Sequence, residues 1–292
     1  MKNLKENLLE LIRKTSAELP ADVVRAIESG SQKEQVGSQG KYAMDIIQKN
    51  IDLAADKSQP LCQDTGSILF YIEHPKNFDQ IVFEREARKA VILATKKGYL
   101  RQNSVDSLTG QNSGNNIGPG MPTFHFHQTP KKDVIVRLIL KGGGCENVGA
   151  QYSLPDTRLE ASRDLEGVKK CILDAVIQAQ GKGCGPGILG VTIGGDRATG
   201  YALSKEQFLR PMTDINLNPT LARLEKEIVE KANQLGIGPM GFGGKTTLLG
   251  CKIVAQNRLP ASFFVTISYM CWAYRRQGFV LQGVGKIKKW LY

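Results

Sequence analysis

The chain has 292 residues, 41% hydrophobic and 23% charged, which is ordinary for a globular protein with a sizeable core. Its formal net charge is +11, yet the basic residues are scattered, with only small clusters at Lys131–Lys132 and Lys286–Lys289. No basic helix interleaved with aromatics appears, which sets nucleic acid aside as a partner, and no stretch approaches the roughly 18 apolar residues that would call for a membrane. Lys2–Leu19 carries Leu and Ile at helical spacing with acidic residues between them. It reads as an amphipathic helix rather than a targeting peptide, and a cytoplasmic protein is expected. A second helix is predicted over Lys41–Ala55, a short strand over Leu69–Ile72 and a long amphipathic helix over Gln80–Tyr99. His125 and His127 alternate with aromatics in FHFH and share one strand face. With no carboxylate or third histidine beside them in sequence, a half-exposed strand face is favoured over a metal site. Val134–Leu140 (VIVRLIL) is a strong strand candidate. A helix over Leu159–Gln180, a strand over Gly187–Ile193 and a helix over Leu221–Leu235 follow, then strands over Leu248–Ala255 and Phe263–Tyr269. No repeat is visible. The expected fold class is α+β (mixed α/β), with helices around small mixed sheets.

The 31 glycines concentrate at strand ends, beside reactive residue types. GGGCEN follows the strand ending at Leu140, GKGCGPG precedes the next, and GIGPMGFGGKTT precedes another. Glycine permits positive φ and close approach of the backbone to a ligand, so these loops are the places to look for a site. GFGGKTT resembles a phosphate-binding loop, but that pattern requires glycine where Pro239 stands, and a predicted strand follows rather than a helix. Anion binding by its amides and by Lys245 is the reading that survives.

Six cysteines are spread widely, with no CxxC, which argues against a disulfide framework. Cys171 and Cys251 lie inside a predicted helix and strand and read as structural. Cys145 is ambiguous, because the glycines of its loop are enough to explain it. Cys271 follows an apolar strand and reads as core by itself. Cys62 differs: it precedes a strand, in the polar company of Gln63, Asp64 and Thr65, where a thiol is usually kept for its chemistry. Cys184, flanked by glycines, is similarly open.

Taken in order, PLCQDTG (60–66), GGGCEN (142–147), GCGPGILGVTIGG (183–195), GIGPMGFGGKTT (236–247) and CWAYRR (271–276) resemble the alpha, or catalytic, part of the iron–sulfur hydro-lyases. That family comprises the class I fumarate hydratases and L-tartrate dehydratases. The resemblance covers nearly the whole chain and implies a single catalytic domain over residues 1–292, with the glycine-rich loops converging on one cluster site. It implies a [4Fe–4S] cluster held by Cys62, Cys184 and Cys271, with one iron open for substrate. It implies that Arg101 binds a substrate carboxylate, that Gln63 and Asp64 lie beside the substrate, and that Gly143 and Gly144 present amides to it. It further implies a small dicarboxylate substrate, a beta subunit that completes the site, and a hetero-oligomer. Hydration of fumarate to malate is the preferred reaction, with L-tartrate or a related hydroxy diacid as the alternative. Two positions depart from the family's pattern. Leu259 stands where many relatives have histidine, which leaves the general acid/base unassigned, and Gly185 stands in a position often held by proline.

Overall fold

The computed structural model describes residues 3–282 and 285–292, so Lys2, where the first predicted helix begins, lies outside the described residues. In chain order the elements of the first half are α1 (Leu4–Ala17), α2 (Ala21–Lys33), α3 (Gln39–Lys57), β1 (Ser67–His74), α4 (Gln80–Lys96), β2 (Thr123–Gln128), β3 (Val134–Lys141) and α5 (Gly143–Asn147). Then follow β4 (Ala150–Ser153), α6 (Leu165–Ala179), β5 (Gly187–Ile193), α7 (Arg197–Glu206), α8 (Pro219–Gln234), β6 (Leu248–Ala255), β7 (Phe264–Met270), β8 (Arg275–Gln282) and β9 (Lys286–Trp290). Packing divides the chain into two units, and the mixture of helices and mixed sheets in both is the α+β class expected from the sequence. Residues up to 21, residues 49–143 and residues from 273 onward form one unit; residues 22–48 and 144–272 form the other.

The first unit is built on a five-stranded sheet of order β2-β1-β3-β8-β9, in which only β1 and β2 run parallel. Alternate residues of three strands turn to one apolar face: Ile68, Phe70 and Ile72, then Val136, Leu138 and Leu140, then Phe279 and Leu281. Against it lie Leu4, Leu8, Leu11 and Ile12 of α1 and Phe83, Ala87, Ala90, Val91 and Ala94 of α4. Their spacing is the helical i, i+3, i+4 stripe. Phe124 and Phe126 of β2 turn toward the same core, Phe124 stacking with Phe70 and both meeting Phe83 edge-on. His125 points the other way and stacks on Tyr71, while His127 is exposed. The strand-face reading of the two histidines therefore holds.

The second unit carries a four-stranded sheet of order β4-β7-β5-β6. One face packs Leu189, Val191, Ile253, Val265 and Ile267 against α6 and α8 through Val168, Cys171, Ile172, Val176, Leu224 and Ile228. Cys171 and Cys251 are filler in this core. Burial pushes the Cys171 thiol up to about 12, and it pushes Cys251 up as well.

Element ends follow local chemistry. α4 stops at Lys96, short of the predicted Tyr99, because Gly98 takes φ +77° and turns the chain. α6 starts at Leu165 rather than Leu159, because the Asp164 carboxylate accepts from the Gly167 N–H and caps the helix there. Asn218 caps α8 in the same way, with Pro219 in the first turn.

Candidate active site

In the first unit, a cleft of about 660 Å³ opens beside the start of β1, lined by Gln63, Asp64, Thr95, Leu100, Arg101, Gln102 and Asn103. Three residues singled out from the sequence, Gln63, Asp64 and Arg101, thus share one wall. The segment before β1 is pinned on both sides of the cysteine. The buried Leu61 donates its N–H to the Ser16 carbonyl (2.9 Å) and accepts from the Asn50 side-chain amide (3.0 Å). Gly66, at φ +73°, passes so close to the Lys141 carbonyl that a Cβ there would overlap it. Thr65 joins the two halves of the cleft. Its buried hydroxyl donates to the Arg101 carbonyl (2.8 Å) and accepts from the Arg101 N–H (3.0 Å). The Arg101 side chain is left exposed.

Asp64 is held by both oxygens. Oδ2 accepts from the Gly143 N–H at 2.6 Å, and Oδ1 accepts from Asn103 Nδ2 at 3.0 Å. The Gly143 amide is thus directed at Asp64. Gly144 is exposed and belongs to the second unit, where the nearest atom to a Cβ would be the Lys182 carbonyl oxygen at 3.8 Å. Sequence reasoning missed Asn103, Thr65 and Asn116, the polar residues that hold the cleft in shape. Asn116 is buried and left-handed (φ 62°).

In the second unit the thiols gather around one ring. Tyr269 is buried, and its hydroxyl is pushed up by that burial and further by the charges of Cys271, Cys145 and Cys184. The GKGCGPG loop fits around this tyrosine because it lacks side chains: a Cβ on Gly183 would lie 2.6 Å from the ring, and one on Gly187 would overlap it. Cys184 sits exposed at the tip in a left-handed conformation (φ 52°), and its carbonyl accepts from the Trp272 N–H at 3.3 Å. Cys271 directly follows β7, and its N–H donates to the buried Cys145 Sγ at 3.3 Å. The structure thus brings Cys184 and Cys271 together and adds Cys145, whose place in the glycine-rich loop was its sequence signal. Cys62 belongs to the first unit and is half-exposed. None of the six cysteines is in a disulfide. Among the described residues, no group of three or more His, Cys, Asp or Glu side chains is arranged to hold a metal ion.

The GFGGKTT loop does bind an anion, and the anion is the protein's own. The buried Glu34 carboxylate accepts from the Lys245 N–H (3.0 and 3.1 Å) and the Thr246 N–H (2.7 Å). Gly244 and Gly40 leave room for it. The amides read from sequence as an anion site are thus occupied, and the Lys245 side chain is exposed. Leu259, at the position noted above, is also exposed.

Comparison with known proteins gives a consistent picture. The family model described as fumarate hydratase (Fumerase) matches residues 5–280. A provisionally named class I fumarate hydratase of Geobacillus stearothermophilus is 52% identical over the full length of this chain, which spans 58% of that relative. A provisionally named L(+)-tartrate dehydratase subunit alpha of Methanocaldococcus jannaschii is 34% identical over 92% of this chain and 94% of its own. The L(+)-tartrate dehydratase subunit alpha of Escherichia coli K12 is 32% identical over 89% of this chain and 85% of its own.

Proposed function

The chain belongs to the fumarate hydratase family, and from that premise we propose that it is the alpha part of a hydro-lyase that hydrates fumarate reversibly to malate. The observation that carries this reading is the cleft in which Gln63, Asp64 and Arg101 meet, with both Asp64 oxygens held by N–H donors. Arg101 binds a substrate carboxylate, by the charge-assisted pairing at which guanidinium excels. Gln63 orients the substrate by hydrogen bonding. Asp64 is the carboxylate lining the cleft, so the proton exchanged at carbon is held or moved at its oxygens. The carbanion-like state next to the substrate carboxylate is stabilised by the Arg101 cation. Lys245 contributes through its exposed ammonium rather than through its amide, and Gly144 supplies an amide beside that of Gly143.

Cys62, Cys184 and Cys271 hold a [4Fe–4S] cluster in this reading. The donor chemistry supports such a group: none of the three thiols is in a disulfide, Cys184 is presented on an exposed left-handed turn, and soft thiolates suit iron–sulfur binding. Bound there, the cluster supplies a Lewis acid for the substrate hydroxyl. Two relatives bear the name of an alpha subunit, and the Geobacillus relative extends well beyond the matched region. The alpha-subunit names support a beta subunit that completes the site, in a hetero-oligomer. Among the described residues no helix is long and apolar enough to cross a membrane, and a cytoplasmic setting accords with thiols that must stay reduced. The higher identity to the fumarate hydratase favours fumarate. Near-complete coverage of the tartrate dehydratase alpha subunits keeps L-tartrate as the second reading.

The test is anaerobic reconstitution with iron and sulfide, followed by assay on fumarate, malate and tartrate with the beta partner. Thiolate-to-iron absorbance is expected in wild type and in Cys171→Ala, and is expected to be lost in Cys62→Ser, Cys184→Ser and Cys271→Ser. A wild type that takes up no cluster, or a Cys171→Ala variant that behaves like the other three, sinks the ligand assignment.

A further inference from the structure

Asp64 is held by two donors of different kinds. The Gly143 N–H is main chain and survives any side-chain substitution. The Asn103 amide is a side chain, and it is itself held in place. The Asn103 N–H donates to Asn116 Oδ1 at 2.7 Å. Asn116, 3% exposed, donates through Nδ2 to the Arg101 carbonyl and to Thr95 Oγ1, both at 2.9 Å. Thr95 Oγ1 in turn donates to the Val91 carbonyl of α4 at 2.9 Å. A single buried amide thus fixes the segment bearing both Arg101 and Asn103 to the last turns of a core helix. Networks whose members are all satisfied are the ones that specify geometry.

We propose that Asn103 is a positioning residue for the reaction, its side-chain amide fixing the orientation of the Asp64 carboxylate in the cleft. This rests on the reading of Asp64 given above. The amide donates to Asp64 and so is engaged with the carboxylate rather than with substrate. The hydrogen bond links residues 39 apart in sequence, so its loss leaves Asp64 free to rotate while the Gly143 bond survives.

The experiment compares wild type, Asn103→Leu and Asn103→Asp as cluster-loaded enzyme with its beta partner, by separate measurement of kcat and KM and by thermal unfolding. Leucine removes the donor at similar volume. Aspartate keeps the shape and sets a like charge against Asp64. In Asn103→Leu, kcat is expected to fall about 10- to 100-fold. It falls further in Asn103→Asp, while KM and melting temperature change little in either. A kcat that falls only in step with melting temperature would reduce Asn103 to a structural residue and overturn the proposal. A raised KM at unchanged kcat would overturn it too, by making Asn103 a substrate contact. A wild-type enzyme with no activity on fumarate, malate or tartrate would sink the hydro-lyase reading itself, and this inference with it.

Discussion

The cleft at Asp64 and the loop at Cys184 are both built from irregular backbone, but they are held by different forces. Around Asp64 the chain is fixed by polar side chains that each close one to three hydrogen bonds: Thr65 on Arg101, Asn116 on Arg101 and Asn103, Asn103 on Asp64. Around Cys184 it is fixed by what is missing, since Gly183 and Gly187 leave the space that the Tyr269 ring fills. Hydrogen bonds can be removed singly, and each net contribution is about 1 kcal/mol unless a buried partner is left unsatisfied. A steric fit has no such gradation. One methyl group either finds room or displaces a packed ring. The carboxylate region should thus respond in steps to substitution, and the thiol region abruptly.

Gly187→Ala offers the sharpest way to break that contrast. Its Cβ would overlap the buried Tyr269 ring inside β5, and a loss of about 3 kcal/mol or more is expected in urea unfolding, together with loss of cluster uptake. A wild-type midpoint in this variant would refute the steric account. Asn116→Ala comes next. It strands the Asn103 N–H and leaves the Arg101 carbonyl with the Thr65 hydroxyl alone, with an expected loss of about 1–3 kcal/mol by the same measurement. Asn116→Gly, which accepts φ 62° without strain, should lose less, so the difference between the two isolates the backbone component. Smallest in its effect on stability is alkylation of the cluster-free chain at pH 8, read by mass spectrometry. Exposed Cys184 should react well ahead of Cys171 and Cys251. Burial pushes the Cys171 thiol up to about 12, so its thiolate is scarce below that pH and appears only as pH rises toward it. Equal labelling of Cys171 and Cys184 would mean that the second core opens readily.

The periodic part of the fold was legible in the sequence. α1, α4 and α8 carry their apolar stripes in plain view, and β3 and β6 are runs of β-branched and aliphatic residues. α2 and β8 were not. α2 contains Gly30 and two serines, all poor helix formers, and is held by packing instead. β8 begins with Arg275 and Arg276 and contains Gly278, a composition that suggests surface, yet both arginines are buried. Arg276 stacks its guanidinium over Tyr274 and Tyr292, at 4.3 and 4.7 Å from the ring centres, which no one-dimensional pattern announces. At the site, Cys62 and Cys184 stood out by their polar and glycine-rich surroundings, and Gln63, Asp64 and Arg101 through family resemblance. Asn103 and Asn116 looked like ordinary loop asparagines. Their importance lies in partners distant in sequence, and sequence spacing carries no information about those. Glu34 is the extreme case, bonded to amides more than two hundred residues away.

That buried glutamate also determines which small molecules can compete for the GFGGKTT loop. A carboxylate fixed to the same chain acts at an effective concentration that a freely diffusing anion cannot match. Nucleotides, inorganic phosphate and the diacids themselves would each have to evict a ligand that never leaves. The loop is therefore insulated from the cell's changing pool of phosphorylated metabolites, and a sensor for that pool could be engineered here only after Glu34 had been removed.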